Sequence, residues 1–308
     1  MKIVVFGGNG FIGRHLVRLL SGLGHELTVP VRDREKAKEL IMLPSTDVVA
    51  YNSLSPAQLS PYLRGADAAV NLTGILNERR GGDFMRTHNE FVRILCECCA
   101  AESVRRLVHV SALNALGNAP SEYLRSKAKG EQIIRAAPVR CVIIRPSVVY
   151  GQGDAFVSLF VRMARRLPVL MLPCADAEMQ PVAVGDLAAI IAHVIETGEE
   201  DRKTLQVGGP QRLTLSEIVR AALSAAQTPR PVADLGQLSS YMLAMVAEAT
   251  PGVHILSRDN CLSATRPSVV SGENDAARIL GELTTLQAGL AAMFAQSTGA
   301  DVRARARR

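Results

Sequence analysis

A serine, a tyrosine and a lysine are spaced so that they could move a proton to or from a carbonyl oxygen. Tyr123 and Lys127 lie four residues apart in a predicted helix, so their side chains share one face. The ammonium of Lys127 would stabilise a Tyr123 phenolate, and we expect it to lower the tyrosine pKa from about 10 toward neutral pH. Ser111 directly follows a predicted strand and could hold the substrate oxygen. A Tyr–Lys pair at this spacing also arises by chance on amphipathic helices, so the hypothesis needs support from elsewhere in the chain.

A glycine-rich turn at the start of the chain provides that support. Residues 3–6 form an apolar run typical of a strand buried on both faces, and from Phe11 apolar residues recur at helical spacing. A strand, a glycine turn and a helix in this order let the backbone and the free N–H groups of the helix approach a pyrophosphate. A plain tight turn is the alternative. The predicted dinucleotide-binding turn consists of Gly7, Gly8, Asn9, Gly10, Phe11, Ile12 and Gly13.

The second predicted strand, Glu26–Val31, ends in a run of charged residues that bears on the choice of dinucleotide. In NAD-binding proteins an acidic residue usually closes this strand and holds the ribose hydroxyls. Here the first polar residue is Arg32, whose guanidinium suits a 2′-phosphate. The pattern therefore favours NADP(H) over NAD(H). Two alternatives stay open: Asp33 could reach the ribose, or the whole run could be a solvated surface.

The first half of the chain alternates strands and helices, which predicts an α/β protein with a Rossmann-type, doubly wound parallel sheet. We expect residues 1–150 to form a dinucleotide-binding domain. Residues 151–300 are expected to form a smaller α/β substrate lobe, interleaved with the last sheet strands and folded over the carboxyl edge of the sheet, and residues 301–308 a basic tail. Pro30 fits an interior strand only if it lies past the last ladder hydrogen bond.

The element boundaries follow from apolar periodicity and from turn and cap residues. The predicted strands are 3–6, Glu26–Val31, 48–51, 68–72, Arg106–Val110, 140–144, 169–172 and 205–207. The predicted helices are Phe11–Gly22, 34–41, Pro56–Leu63, 83–102, Glu122–Ala136, 154–167, 186–196 (with Asp186 as its cap), 214–225 and 239–250.

Composition narrows the function classes. With 48% hydrophobic and 21% charged residues, the chain has the balance of an ordinary folded protein. Half of its net charge of +6 lies in the last eight residues, and only 4% of residues are aromatic, so we expect no nucleic-acid partner. The six cysteines lack a neighbouring Cys or His cluster, so we expect small buried hydrophobes and no metal site.

Two further features of the sequence concern the location of the protein in the cell. No apolar stretch reaches the eighteen or so residues of a membrane span, and no targeting segment precedes the first strand. We expect a cytoplasmic protein. The alternative is a peripheral contact between its basic tail and the anionic cytoplasmic face of a membrane.

Taken together, the motifs resemble the extended short-chain dehydrogenase/reductase superfamily. The resemblance runs from Met1 to about residue 200 and rests on the glycine turn, Asn89, the segment 109–112, Tyr123-x-x-x-Lys127 and the segment 145–151. Four segments (70–76, 123–131, 180–187 and 257–260) are similar to an atypical branch of that superfamily. That branch contains the NADPH-binding accessory subunit of respiratory complex I and its free-standing bacterial relatives.

The resemblance implies roles for matching residues. It implies Tyr123 as the proton donor or acceptor, Lys127 as the group that tunes it, Ser111 as the substrate-positioning hydroxyl and Asn89 as part of a proton relay. Asn52 stands where many members place an aspartate near the adenine, and Pro146 would shape the nicotinamide wall. Besides the glycine turn, the nucleotide-contacting residues implied are Arg32, Asn52, Leu72, Thr73, Gly74, Ser111, Tyr123, Lys127 and Pro146.

Three functions stay open at this point. The first is an NADP(H)-dependent oxidoreductase, or an epimerase or dehydratase using the same tyrosine, with an unidentified small carbonyl or alcohol substrate. The second is a non-catalytic NADPH-binding structural or assembly factor of a membrane-associated complex, as the complex I resemblance implies. The apolar stretch 241–247 and the basic tail would be its docking features. The third is a sensor of the NADP(H) redox ratio.

Overall fold

The computed structural model of the chain describes residues 1–78, 80–249 and 257–305. The chain divides into two compact units. The first comprises Met1–Pro146 and Leu187–Val207, and the second comprises Ser147–Asp186 and the chain from Gly208 onward. Thr250, the last residue of one predicted helix, and residues 306–308 of the basic tail lie outside the described residues.

The elements are numbered in chain order. The strands are β1 (Lys2–Phe6), β2 (Glu26–Val31), β3 (Thr46–Ala50), β4 (Ala68–Asn71), β5 (Arg106–Val110), β6 (Arg140–Pro146), β7 (Val149–Tyr150), β8 (Leu170–Leu172), β9 (Glu178–Met179), β10 (Val182–Ala183), β11 (Thr204–Val207), β12 (Leu213–Thr214) and β13 (Val232–Asp234). The helices are α1 (Phe11–Gly22), α2 (Lys38–Ile41), α3 (Pro56–Leu63), α4 (Asp83–Met85), α5 (Phe91–Ala101), α6 (Glu122–Ala136), α7 (Val157–Arg166), α8 (Val184–Thr197), α9 (Leu215–Ala225), α10 (Gln237–Ala249), α11 (Arg258–Ala264), α12 (Asp275–Leu280) and α13 (Leu286–Arg305). Glu35–Ala37 forms a 3-10 turn before α2, and Arg86–Glu90 forms a π-helical turn between α4 and α5.

A seven-stranded sheet forms the centre of the first unit, with the strand order β11-β6-β5-β4-β1-β2-β3. Every neighbouring pair is parallel. The chain runs outward from β1 through β2 and β3 and then returns to β4 on the other side of β1. The carboxyl ends of β1 and β4 therefore meet at the point where the strand order reverses, which is where ligands bind in open parallel sheets. The predicted doubly wound parallel sheet is confirmed.

The sheet is buried because helices cover it and its strands are apolar. All four residues of β4 are buried, as are residues 3–6 of β1. A core cluster joins the sheet to α3 and α5, and the rings of Phe6 and Phe91 meet edge to face with 5.6 Å between centroids. Along α1, Leu16, Val17 and Leu20 face the core, so the helical periodicity in the sequence corresponds to its buried face.

Pro30 lies within β2, an interior strand, and the ladder geometry explains why it is tolerated. The N–H of Glu26 points to the β1 side, where it donates to Met1 O at 2.9 Å. Because residues of alternate number in a parallel strand point to the same side, the nitrogen of Pro30 also faces β1. The pairing of β2 with β1 ends at Thr28 opposite Val4, so Pro30 lies past the last rung on that side.

The second unit contains three short strand pairs and a helical core. β7 pairs with β10 and β8 with β13, both parallel, whereas β9 and β12 are antiparallel. The core cluster of this unit includes Val161 of α7, Ile218 and Leu223 of α9, and Leu290 of α13. Helix α9 begins with a capping box, in which Thr214 and Glu217 satisfy each other's backbone N–H groups. Among the described helices, none is both long and apolar enough to cross a membrane.

The predicted cap role of Asp186 is wrong. Helix α8 begins at Val184, so Asp186 falls within its first turn. Its carboxylate accepts hydrogen bonds from the backbone N–H of Thr284 at 2.9 Å and from the Thr284 hydroxyl at 2.8 Å. Asp186 therefore connects α8 to the segment before α13, a long-range contact that the local pattern of the sequence does not reveal.

Candidate active site

The glycine turn after β1 is packed too tightly for side chains. Gly7 has a φ of +77°, a left-handed conformation that favours glycine, and its carbonyl accepts the N–H of Gly10 at 2.9 Å. A Cβ at Gly13 would lie 2.3 Å from Gly7 O and 2.5 Å from Gly8 Cα. A Cβ at Gly8 would lie 2.6 Å from a methyl group of Val29. The first helical turn of α1 therefore packs directly against the backbone of Gly7 and Gly8.

The start of α1 can accept an anion. Gly10 is its N-cap and provides no side-chain cap, and no acidic residue lies in the first turn. The first N–H groups of a helix lack intrahelical partners, and the helix dipole adds positive potential there. The residues and the backbone of this turn thus fit the pyrophosphate of a dinucleotide, as the sequence predicts.

The segment after β4 connects the glycine turn to Lys127. A Cβ on Gly7 would lie 2.9 Å from the carbonyl carbon of Leu72 and 3.0 Å from the nitrogen of Thr73. The N–H of Thr73 donates to Asn71 Oδ1 at 3.0 Å, which holds this segment in place. On its far side, a Cβ on Gly74 would lie 3.2 Å from the Nζ of Lys127.

Lys127 and Ser111 lie together at the end of β5. The buried Lys127 ammonium donates to Val110 O at 3.1 Å, one residue before Ser111. Burial lowers the pKa of Lys127 to about 8, partly opposed by the carboxylate of Glu131. Ser111 is only 4% exposed, and its hydroxyl has no hydrogen-bond partner within the described part of the chain. The structure therefore brings together the glycine turn, residues 72–74, Lys127 and Ser111.

Tyr123 lies one helical turn before Lys127 on α6, in an aromatic cluster. Its ring contacts His88, with 5.9 Å between centroids, and Phe84, with 6.1 Å. Burial raises the pKa of Tyr123 to about 12. The expectation of a lowered tyrosine pKa is therefore wrong. The reason is that the low-dielectric surroundings of the ring disfavour the charged phenolate.

His88 is part of the site and is missed by sequence analysis. Its Nδ1 lies 2.8 Å from the hydroxyl of Ser126, which donates to Tyr123 O at 2.6 Å. Because the Ser126 hydroxyl donates its proton to Tyr123 O, it can only accept from His88, so Nδ1 of His88 carries the imidazole proton. Nε2 of His88 accepts the N–H of Ile75 at 3.2 Å. Burial lowers the pKa of His88 to about 3, with a smaller contribution from the charge of Lys127. A neutral imidazole therefore connects the backbone of Tyr123 to the segment after β4.

Asn89 lies beside His88 in the π-helical turn and contacts α6. Its Nδ2 donates to Ser126 O at 3.0 Å, whereas its buried Oδ1 has no partner in the described structure. The turn approaches α6 so closely that a Cβ on Gly130 would lie 2.5 Å from His88 O. The predicted continuous helix 83–102 is wrong at this point, since the π-helical turn interrupts it. No direct contact links Asn89 to Tyr123 or Lys127 among the described hydrogen bonds.

A buried ion-pair network supports the segment that follows Ser111. Glu131 of α6 is fully buried and accepts from Arg145 at 2.8 and 2.6 Å and from Arg135 at 2.8 Å. Arg145 also donates to Ala115 O at 3.0 Å. The network thus ties α6 and the end of β6 to the loop after β5. Glu131 and Arg145 both lie in the sequence motifs, but the sequence does not reveal that they form an ion pair.

The remaining predicted residues lie at the same edge of the sheet. Arg32 and Asn52 are exposed and follow β2 and β3, and the charge of Arg32 lies near enough to Tyr51 to oppose the burial that raises that tyrosine's pKa. The N–H of Asn52 donates to Gln58 Oε1 at 3.1 Å. Pro146, buried at the end of β6, accepts the N–H of Leu113 at 3.0 Å through its carbonyl.

The chain matches the NAD dependent epimerase/dehydratase family over residues 3–208. It is 30% identical over 220 residues to the ceramide reductase of Caulobacter vibrioides, an alignment covering 71% of this chain and 69% of that protein. It is 29% identical over 222 residues to the mitochondrial NADH dehydrogenase (ubiquinone) 1 alpha subcomplex subunit 9 of Mus musculus, covering 70% of this chain and 59% of that protein. The alignment spans less than two thirds of the length of the complex I subunits of Dictyostelium discoideum and Mus musculus, at 61% and 59%.

Solved structures show the same fold. The NADPH-dependent quinone oxidoreductase QOR2 of Escherichia coli aligns with a TM-score of 0.75 at 16% identity, covering 95% of this chain and 99% of that chain. The likeness concerns the architecture alone.

Proposed function

Because this chain belongs to the NAD dependent epimerase/dehydratase family, we propose that it is an NADP(H)-dependent oxidoreductase that acts on a small carbonyl or alcohol substrate. The observation that carries the proposal is the buried hydroxyl of Ser111, without a partner in the described structure and one residue beyond the carbonyl that holds Lys127. A buried hydroxyl with no partner costs free energy. A substrate oxygen bonded to Ser111 would offset that cost.

Two parts of the nucleotide have candidate binding groups in the first unit. The N–H groups at the start of α1 bind the pyrophosphate, since Gly10 provides no side-chain cap and no acidic residue lies in the first turn. Arg32, exposed at the end of β2, binds the 2′-phosphate that distinguishes NADP(H) from NAD(H). When bound, the nicotinamide supplies or accepts the hydride.

Tyr123 supplies the proton. With a pKa raised to about 12, its phenol is protonated at neutral pH and serves as a donor to the substrate oxygen. Lys127 is charged below a pH of about 8 and stabilises the negative charge that forms on Tyr123 as the proton leaves. Ser111 holds the substrate oxygen during the transfer. This combination favours reduction of a carbonyl at neutral pH.

The test is the removal of one hydroxyl. General acid catalysis contributes roughly 100- to 10,000-fold, so we expect Tyr123→Phe to lower kcat by at least about 100-fold. Its Kd for NADPH should stay within about twofold to threefold of the wild-type value. Tyr62→Phe is the matched control, since the Tyr62 hydroxyl bonds to Ala50 O away from Ser111 and should leave turnover unchanged.

NADPH oxidation is followed spectroscopically with a panel of ketones, quinones, long-chain acyl ketones and nucleotide sugars. The proposal fails if the wild-type protein turns over none of these substrates, or if Tyr123→Phe is as active as the wild type.

A second candidate is a non-catalytic nucleotide-binding subunit docked at the cytoplasmic face of a membrane complex. Two observations favour it: the similarity to the mouse complex I subunit and an exposed apolar stripe on α10. In that stripe Leu238 is 79% exposed and Met242 55%. This candidate predicts tight NADPH binding and co-purification with a membrane complex, with no cellular effect of Tyr123→Phe.

A further inference from the structure

Two cysteines of the second unit, far apart in sequence, meet in one buried cluster. Cys174 follows β8 and Cys261 lies in α11, and both belong to one apolar cluster with Ala177 and Ala244. Their thiols lie close enough for each to shift the pKa of the other. Both are held by Ser240 of α10. The N–H of Cys174 donates to Ser240 Oγ at 2.7 Å, and Cys261 Sγ lies 3.7 Å from Ser240 O. The sequence gives no indication of this pairing, because all six cysteines have the surroundings of small buried hydrophobes.

The two thiols line a cavity of about 360 Å³. Asp176, Glu178 and Gln237 also line it, so its walls carry two carboxylates. A cavity of this volume admits a small molecule, and the carboxylates disfavour anionic reagents over neutral ones. A neutral hydroperoxide is therefore the class of oxidant that suits it.

The two sulfurs differ in acidity in a way that assigns their order of reaction. The neighbouring Cys261 thiol lowers the pKa of Cys174, against opposing effects of burial and Asp176. The neighbouring Cys174 thiol, together with burial, raises the pKa of Cys261. Cys174 is thus the nucleophilic thiolate and Cys261 the resolving thiol. Burial raises the pKa of Cys96 and Cys99, which keeps these thiols inert.

We propose that Cys174 and Cys261 are a modification site, at which a hydroperoxide entering this cavity forms a reversible disulfide. The Cys174 thiolate attacks the peroxide oxygen; an S–O bond forms, the O–O bond breaks and the leaving oxygen departs as water or alcohol once protonated. Cys261 Sγ then attacks Cys174 Sγ; the S–S bond forms, the S–O bond breaks and a second oxygen leaves as water. The two sulfurs together lose two electrons, which reduce the peroxide. A dithiol reductant reverses the step.

The disulfide would join the segment between β8 and β9 to α11. Such a bond restricts the unfolded chain, so oxidation should raise the Tm of the second unit by roughly 5 °C or more. The site lies in a different unit from Tyr123 and Lys127, so it stands or falls independently of the proposed hydride transfer.

The test is peptide mapping of the full chain after brief treatment with hydrogen peroxide at pH 7, followed by alkylation and mass spectrometry. We expect a Cys174–Cys261 linked peptide to form at least tenfold faster than any oxidation of Cys96, Cys99 or Cys141, and to disappear with dithiothreitol. In Cys261→Ser, Cys174 should persist as a sulfenic acid that a 1,3-dione reagent traps. Cys141→Ser is the matched control and should form the linked peptide at the wild-type rate.

Two results would overturn the proposal. One is wild-type protein in which Cys174 and Cys261 remain separately alkylated after peroxide treatment. The other is oxidation of the core cysteines at the same rate as this pair. Both results are measured on the wild-type protein, so the outcome does not depend on whether a serine variant folds.

Discussion

The close contact at Gly13 allows the glycine turn to be tested by adding one methyl group. In Gly13→Ala the new Cβ would lie 2.3 Å from Gly7 O and 2.5 Å from Gly8 Cα, so turn and helix must separate by roughly 1 Å. Overpacking of this kind costs about 1–3 kcal/mol, and the intrinsic helix preference of alanine returns about 1 kcal/mol. We expect a net loss of up to about 2 kcal/mol in the free energy of unfolding.

For Gly13→Ala, the loss in binding free energy for NADPH should exceed the loss in the free energy of unfolding. A turn displaced by this distance no longer aims its N–H groups at the pyrophosphate, and losing one charge-assisted hydrogen bond costs about 1.5–3 kcal/mol. We therefore expect the Kd for NADPH to rise roughly tenfold to a hundredfold. Calorimetric titration measures the affinity, and urea unfolding measures the stability.

Gly22→Ala is the matched control, because it makes the same change at the end of the same helix. No atom lies within 4 Å of a Cβ at Gly22. We expect this variant to gain up to about 0.5 kcal/mol in stability and to keep its NADPH affinity within about twofold. Wild-type affinity in Gly13→Ala would refute the idea that the turn binds the nucleotide through its backbone.

Three further predictions follow from the site. Arg32→Ala should weaken NADPH binding roughly tenfold to a hundredfold in calorimetry and leave NADH binding unchanged, whereas equal losses for both nucleotides would contradict the 2′-phosphate assignment. Lys127 loses its proton at about pH 8 in the folded protein but only at about pH 10.4 in the unfolded chain. Unfolding therefore takes up a proton between these pH values, so the free energy of unfolding should rise with pH in that range. Urea unfolding of Lys127→Met should lack this rise, and an unchanged slope would contradict the lowered pKa. Glu131→Gln should cost about 3 kcal/mol in urea unfolding, since it leaves Arg145 without its buried carboxylate, and a loss below about 0.5 kcal/mol would show that the network is not structural.

Local patterns in the sequence predict most of the first unit. The bounds of α1, α3 and α6 agree with the prediction, since amphipathic periodicity and cap residues act within a few turns. The glycine turn is also predictable, because only glycine tolerates the contacts at Gly7 and Gly13. Boundaries fail where long-range packing decides them, as at the π-helical turn whose His88 carbonyl lies against Gly130.

The electrostatics of the site are much less predictable. The spacing of Tyr123 and Lys127 predicts their shared helix face, but not that burial would raise one pKa and lower the other. His88 contacts Ser126, 38 residues later in the chain, and Glu131 forms an ion pair with Arg145 of another element. None of these partners is close in sequence, so desolvation and pairing become visible only when the chain is folded.

Binding of NADP(H) by the first unit is tested by calorimetric titration of the purified protein with NADPH and, separately, with NADH. Heat is the suitable signal because the chain contains no tryptophan for an energy-transfer readout. We expect NADPH to bind at least tenfold more tightly than NADH. If neither nucleotide binds, once any nucleotide retained from purification has been removed, the first unit is not an NADP(H)-binding domain.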